Sequence, residues 1–355
     1  MLQTIEQMIF RNLTPLSIRH LPPPDIARAS GLSAAVYRQL EQEFQAVPPI
    51  TLHHLNPQLM AGAWSVCRES LIAGPQRALK EAVAVAVSES NRCPYCVEAH
   101  SSMLQGSADG QAMQSREARS EGGVPVSGIV AWARATGDVS APLLAAPPFS
   151  SLEAPAVMGT VVLFHYINRM VNLFLDSTMM PLIGKVPVLR DQALRIFSSV
   201  VSGRITALDV APGIFLTEAP FMALPEEFRW AASNPHVAGG LLRFAAAAEM
   251  AAKGSVDAGV RELVAEKVAN WQGGSPEPGK GWLDSAVSGL PESTRPQARI
   301  ALLAAFASWA ADDGEFADFR EAGGDDRALL DTAAWGAWLA SRRIAGWLSP
   351  STERS

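Results

Sequence analysis

Two cysteines and a histidine are spaced in this chain so that they could form a redox centre. Cys93 and Cys96 lie three positions apart, and His100 follows four residues after Cys96. Pro94 suits the first turn of a helix, where its missing N–H is no loss, so we predict Cys93 at or next to the N-cap. Cys96 and His100 would then share one helical face. A thiol near a helix N-terminus gains thiolate character, and His100 could accept its proton.

A carboxylate from the preceding helix could orient the imidazole. Leu79, Val83 and Val87 mark one face of a helix that follows the breaker Gly74-Pro75. Glu81 lies in this helix, one helix before the cysteines. The four residues therefore predict a dithiol with its own proton relay.

This arrangement resembles a known family. Glu81, eleven intervening residues, the Cys93–Cys96 motif, three intervening residues and His100 match the Glu…Cys-x-x-Cys-x-x-x-His signature of alkyl hydroperoxidase D, which belongs to the carboxymuconolactone decarboxylase-like family. Residues 166–172 are similar to the Asn-Arg helix of its peroxidase-related branch. The resemblance covers about residues 55–175 well, and the C-terminal region only as a faded copy.

The resemblance implies an all-α fold, a homo-oligomer and thiol-dependent reduction of hydroperoxides. An external dithiol of the lipoyl or thioredoxin type would regenerate the enzyme, and neither a metal nor an organic cofactor is required. Cys96 would become the sulfenic acid, Cys93 would close the disulfide, and Glu81 with His100 would relay the proton. Tyr95 stands where alkyl hydroperoxidase D carries a histidine, so the details of the relay differ.

The roles of the two cysteines can be argued either way from the residues. The helix dipole favours Cys93, which lies nearer the N-terminus, as the more nucleophilic thiol. His100 shares a face with Cys96. We follow the resemblance and assign Cys96 as the peroxidatic residue.

Other functions fit parts of the motif. The chain could be a thiol–disulfide oxidoreductase without peroxide turnover, a decarboxylase-like enzyme, or a redox-sensing helical module without catalysis. Cys93, Cys96, His100 and Glu81 also have the residue types and the spacing of a zinc site. Cys-Pro-Tyr-Cys is also the glutaredoxin tetrapeptide, and Val124-Pro125-Val126 downstream could imitate the proline of that fold. A glutaredoxin fold requires a βαβ frame around the motif, however, and this chain offers helices.

Two further features concern the surroundings of the motif. Cys67 is predicted to be a packed core thiol, because free cysteine is among the most buried residue types. His165, Asn168, Arg169 and Asn172 form a polar stripe on an otherwise apolar helix. The stripe is either a solvated face or a set of interhelical hydrogen bonds, and a functional interpretation places Asn168 and Arg169 close to the dithiol.

Composition restricts the partners of the chain. It has 355 residues, 48% of them hydrophobic and 18% charged, with a formal net charge of −6. This acidic balance argues against a nucleic-acid or anionic-membrane surface. Three cysteines are too few for a secreted disulfide scaffold. With no evident signal peptide and no apolar run long enough to span a membrane, the sequence predicts a cytoplasmic protein.

Apolar residues recur at helical spacing almost everywhere, which predicts an all-α fold of two related tandem modules. Asn56-Pro57 and Asn234-Pro235 each open a helix that leads to a second helix, the first with Glu81 and the other with Glu262. No cysteine follows Cys96, so the second module is a degenerate copy. The predicted division is an N-terminal helical arm at 1–50, a catalytic module at 51–180, a helical connector at 181–225 and the degenerate module at 226–355.

Overall fold

The computed structural model describes residues 16–179 and 208–348. Asn56, with its side chain accepting from the Leu59 N–H, caps the third of the N-terminal helices, as its place before Pro57 predicts. The α-helices before the gap are α1 (Gly31–Glu43), α2 (Pro48–Thr51), α3 (Pro57–Cys67), α4 (Arg77–Ser90), α5 (Pro94–Gln105), α6 (Ala108–Met113), α7 (Val126–Ala135) and α8 (Ala154–Phe174). A π-helix at Arg68–Ile72 continues α3, and a 3-10 turn lies at Pro142–Ala145.

After the gap the described chain is again helical. Asn234 caps the first long helix there, with its side chain accepting from the N–H groups of His236 and Val237. The α-helices are α9 (Pro235–Ser255), α10 (Ala258–Asn270), α11 (Gly281–Val287), α12 (Arg295–Phe306), α13 (Asp313–Glu321) and α14 (Asp326–Leu348). Short 3-10 turns lie at Glu226–Ala231, Glu292–Thr294 and Ser308–Ala310.

The fold is all-α, as the apolar periodicity predicts. Extended pairing within the two described stretches is limited to three isolated bridges. None of the helices in these stretches is long and apolar enough to cross a lipid bilayer.

The centre of the molecule is built where helices from before and after the gap pair with one another. Helix α3 packs along α9, and α8 packs along α14. At the first pairing Gly62 and Gly240 allow close approach, since a Cβ on Gly240 would lie 2.9 Å from the Ser65 carbonyl oxygen. Next to the second pairing, the Phe244 ring of α9 lies 4.6 Å from the Tyr166 ring of α8 and 4.6 Å from the Trp338 ring of α14. Both halves therefore contribute to one apolar core.

The boundaries of the predicted modules stay predictions, because the shared core does not separate them. The predicted connector at 181–225 lies partly outside the described residues. Its described part, 208–225, consists of turns and bends rather than helix, so the helical interpretation was wrong there. Four prolines and glycines, Pro212, Gly213, Pro220 and Pro225, explain this, because they interrupt a helical backbone.

Candidate active site

A tight connection between α4 and α5 places the first cysteine. The chain turns at Arg92, whose φ of 53° lies in the left-handed region. The Cys93 N–H donates to the Ser88 carbonyl at 3.0 Å, and Cys93 is the N-cap residue of α5, as predicted. A left-handed residue other than glycine costs on the order of 1–3 kcal/mol. The turn therefore needs support from contacts elsewhere in the fold.

Glu81 and His100 are brought together across α4 and α5. His100 Nδ1 lies 2.5 Å from Glu81 Oε2, and Arg77 Nε donates to Glu81 Oε1 at 2.7 Å. The carboxylate is 1% exposed. Burial alone would raise the pKa of Glu81, but the positive charge of Arg77 and the contact with His100 outweigh burial and lower the pKa to about 2. Glu81 is therefore ionised at neutral pH.

The ionised carboxylate fixes the state of the imidazole. An ionised carboxylate can only accept, so His100 Nδ1 carries the hydrogen and Nε2 is the nitrogen left to exchange a proton. The ring lies edge-on to Phe164, with the ring centres 4.7 Å apart. His100 is 9% exposed, whereas Cys93 and Cys96 are each 1% exposed. The imidazole is the most accessible member of the group.

The two thiols of the motif are free and buried. Burial raises the pKa of the Cys96 thiol well above its usual value, and interaction with Cys93 raises it further. The Asn168 side chain opposes this by a hydrogen bond that lowers the pKa of Cys96. Tyr95 is buried beside the thiols, and burial raises the pKa of its phenol. Cys96 therefore rests as a thiol, and its activation requires a base.

Asn168 joins α8 to the helix hairpin that carries the motif. Its Nδ2 donates to Ser88 Oγ at 3.0 Å, and its Oδ1 accepts from Asn91 Nδ2 at 3.0 Å. The side chain is fully buried. These two bonds fix the orientation of the amide that contacts Cys96.

Arg169 points to another part of the molecule. Its Nε donates to the Ala305 carbonyl at 3.1 Å, its Nη1 donates to the His165 carbonyl at 2.5 Å, and its guanidinium lies over the Trp271 ring. Burial lowers the pKa of Arg169 to about 10. The polar stripe on α8 is thus a set of interhelical hydrogen bonds, and a solvated face is excluded. Asn168 lies beside the dithiol, whereas the described contacts of Arg169 are with other residues.

A segment far away in the sequence supports the left-handed turn. The Arg92 guanidinium lies over the Trp309 ring, 4.8 Å from its centre. Asn172 Nδ2 donates to both the Asn91 carbonyl and Ser308 Oγ, at 3.2 Å each. Sequence reasoning did not find this support, because nothing near the motif points to residues 308 and 309. For Arg77 a signal existed: it precedes Glu81 by four residues, the spacing of helical ion pairs.

The structure also bears on the other interpretations of the motif. Within the described residues no group of three or more His, Cys, Asp or Glu side chains is arranged to hold a metal ion. Both oxygens of Glu81 are already engaged by Arg77 and His100. The motif lies in a helix hairpin rather than in a βαβ frame, which excludes the glutaredoxin fold. Cys67 is a core thiol, as predicted, and burial raises its pKa to about 12.

Comparison with curated proteins shows a similarity over nearly the whole chain. The relative is a protein of Mycobacterium tuberculosis named alkyl hydroperoxide reductase Rv2159c, which is 31% identical over 341 residues. The matched region covers 95% of this chain and 96% of the relative. No family model matches the chain. The similarity therefore includes the regions on both sides of the described gap.

Proposed function

The chain belongs to the family of that alkyl hydroperoxide reductase, and from this premise we propose that it is a thiol-dependent peroxidase acting through Cys96 and Cys93. The observation that carries the proposal is the 2.5 Å contact between Glu81 and His100 beside a buried Cys-x-x-Cys pair. A structural thiol pair needs no neighbouring base, whereas a pair that must lose protons does. The name of the relative supports the same chemistry.

In the proposed reaction the sulfur of Cys96 attacks one oxygen of a hydroperoxide ROOH. The O–O bond breaks, ROH leaves with one proton, and Cys96 becomes a sulfenic acid. The Cys93 sulfur then attacks the Cys96 sulfur, and the sulfenic oxygen leaves as water. The peroxide gains two electrons, which the two thiols lose as they form a disulfide. An external dithiol returns the electrons by thiol–disulfide exchange.

The relay has a definite task in this scheme. Because burial keeps the Cys96 thiol protonated, a base must remove its proton as the substrate arrives. His100 Nε2 is the available nitrogen, and the ionised Glu81 stabilises the imidazolium that results. Arg77 holds the carboxylate in place from its other oxygen.

Burial also favours a small oxidant. Two thiols that are each 1% exposed can be reached by a small hydroperoxide more easily than by the disulfide of a folded protein. This observation supports peroxide reduction over a general thiol–disulfide oxidoreductase. The homo-oligomer implied by the family resemblance stays a proposal, which light scattering coupled to size-exclusion chromatography tests.

The direct experiment is steady-state consumption of several hydroperoxides, with lipoyl-type and thioredoxin-type dithiols offered in parallel. We expect turnover that Cys96→Ser abolishes. Cys93→Ser should leave a sulfenic acid that dimedone traps at Cys96, and Cys67→Ala serves as the matched control with turnover retained. Disulfide exchange without peroxide consumption would instead favour an oxidoreductase. Trapping on Cys93 in the Cys96→Ser variant would reverse the two roles.

A further inference from the structure

A cavity lies apart from the dithiol. Its volume is about 360 Å³, in the range of small-molecule sites. Its walls include parts of the π-helix and the turn that follows it, Lys80 of α4, and the starts of α8 and α9. Cys93, Cys96 and His100 are not among the lining residues. Nothing in the peroxidase scheme uses this space.

Lys80 is the unusual residue of the cavity wall. It is 2% exposed, and its Nζ donates to the Ala73 carbonyl at 2.7 Å. Among the described residues this is its one hydrogen bond, although an ammonium group has three N–H donors. The chain has 29 basic residues and five of them are lysines, so arginine is its usual cation. Of the four lysines in the described stretches, Lys80 is the buried one.

The carboxylates of the cavity wall, Glu69, Glu121 and Glu153, already accept hydrogen bonds, Glu121 from Gln76 Nε2 at 3.1 Å. Glu69 pairs with Arg68 at 2.5 Å and accepts from the Gly213 N–H at 3.0 Å. Glu153 accepts from the N–H groups of Gly122 and Ser150 at 3.2 Å each, and from Ser150 Oγ. Their negative charge would still repel an anionic ligand. The Lys80 amine is the buried cation of the wall and has spare hydrogen-bonding capacity, and its partner should be uncharged.

The electrostatics agree with this geometry. Burial and the nearby charge of Arg77 lower the pKa of Lys80, Glu81 and Glu69 act in the opposite direction, and the resulting pKa is about 7. A substantial fraction of the amine is therefore neutral at physiological pH. A neutral lysine amine in a cavity is a nucleophile toward carbonyl carbon.

We propose that this cavity binds a small uncharged aldehyde or ketone, and that Lys80 captures it as an imine. The nitrogen lone pair attacks the carbonyl carbon, and a proton passes from nitrogen to oxygen to give a carbinolamine. Loss of water then forms the C=N bond, with no change of oxidation state. His236 lines the same cavity and can exchange the protons.

Reductive trapping of the full-length protein tests the proposal. Butanal and cyanoborohydride at pH 7 convert an imine into a stable secondary amine, which blocks tryptic cleavage at Lys80 and yields a peptide spanning 78–92. The exposed Lys253 and Lys267 are internal controls. We expect Lys80 to be labelled at least about tenfold faster than either control, because a much larger fraction of its amine is neutral at this pH. Its labelling should saturate with butanal.

Two further measurements separate specific binding from general reactivity. Ala156→Leu puts extra volume into the cavity wall and should slow labelling of Lys80 but not of Lys253. Butyrate, which matches butanal in size but is anionic, should not protect Lys80. Equal rates for Lys80 and Lys253, absence of saturation, indifference to Ala156→Leu or protection by butyrate would each overturn the proposal.

The result is independent of the peroxidase scheme. The Cys93→Ser/Cys96→Ser double variant lacks the dithiol, and its Lys80 should still be labelled rapidly. Failure of peroxide turnover therefore leaves this inference standing, and failure of labelling leaves the peroxidase proposal standing. Labelling of Lys80 that disappeared in the double variant would contradict a separate site.

Discussion

Helices α4 and α10 hold corresponding places in the predicted repeat and differ in what surrounds them. Each follows a helix capped by Asn-Pro, and the repeat aligns Glu81 of α4 with Glu262 of α10. Glu81 is 1% exposed and has two charged partners, whereas Glu262 is exposed to solvent. One residue type therefore has two environments in the same chain.

The difference comes from the neighbours of each helix. Helix α4 is enclosed by α5, α7 and α8, so almost every position from Leu79 to Ser88 is buried. Helix α10 packs on α12 and α14 along one stripe, Val260, Val264 and Val268. A carboxylate on an open helix face is an ordinary surface group. Enclosure, followed by pairing with Arg77 and His100, makes the one on α4 a candidate for catalysis.

The largest expected effect is the difference in peroxide turnover between matched substitutions of Glu81 and Glu262. Glu81→Gln removes the charge that stabilises the His100 imidazolium, so peroxide turnover should fall by about 10²- to 10⁴-fold. Glu262→Gln should leave turnover unchanged. Stopped-flow peroxide consumption measures both, with circular dichroism as a check of folding. Similar rates for both variants would remove the relay from the mechanism.

The same pair should differ in acid stability. The pKa of Glu81 is about 2 in the folded chain, against an ordinary value of 4.5. A carboxylate with a depressed folded-state pKa stabilises the fold above its unfolded pKa, and this contribution disappears as the pH falls from about 4.5 toward 2. The full contribution is about 3 kcal/mol. Urea unfolding from pH 7 to pH 3 should therefore show a difference between wild type and Glu81→Gln that narrows in acid. For Glu262→Gln the difference should stay near zero throughout; a constant difference for Glu81→Gln would contradict the assignment.

A smaller effect is expected at Asn168, whose amide lowers the pKa of Cys96. Asn168→Leu keeps a similar volume and removes the hydrogen bond, so alkylation of Cys96 should require a higher pH. A hydrogen bond of about 1–1.5 kcal/mol corresponds to a shift of about one pH unit. Ser341, a fully buried polar residue of α14, bonds to its own helix at the Ala337 carbonyl. Ser341→Ala should not move the profile, and an unmoved profile in Asn168→Leu would contradict a positioning role.

The smallest effect is expected at Trp309, which supports the left-handed turn through Arg92. Loss of a cation–π contact of about 0.5–1 kcal/mol should lower the rate of disulfide formation about two- to fivefold in Trp309→Ala. Trp309→Phe should restore part of the rate. Trp282→Ala is the control, because the Trp282 ring lies edge-on to Phe306 instead. Equal rates for Trp309→Ala and wild type would show that the conformation of the turn does not depend on its contact with Trp309.

Sequence reasoning succeeded where the information is local. The spacing of Pro94 and Cys96 after Cys93 predicts the helix start, and periodicity predicts α4, because both depend on backbone conformation within a few residues. The polar stripe on α8 indicates only that polar groups share a face. Its burial depends on how distant helices pack, so it could not be predicted from spacing alone.

The contacts of Ser308 with Asn172 and of Trp309 with Arg92 could be predicted from the sequence even less. The residues in contact there are 136 or more positions apart in the sequence, and no property of either segment predicts its contact with the other. The enclosed environment of Lys80 is a further case. A lysine in a helix is ordinary in sequence, and its burial beside a cavity is visible only in the packed fold.

The central claim is that Cys93 and Cys96 form the redox pair, and one single-turnover measurement tests it directly. Reduced protein is mixed with one equivalent of an alkyl hydroperoxide, free thiols are alkylated, and tryptic peptides are weighed. Cleavage after Arg92 and Arg116 puts both motif cysteines in one peptide, and Cys67 falls in another. We predict that the 93–116 peptide loses two hydrogens and escapes alkylation, while Cys67 is fully alkylated and the hydroperoxide is converted to its alcohol. Full alkylation of Cys93 and Cys96 with the hydroperoxide unconsumed would contradict the account.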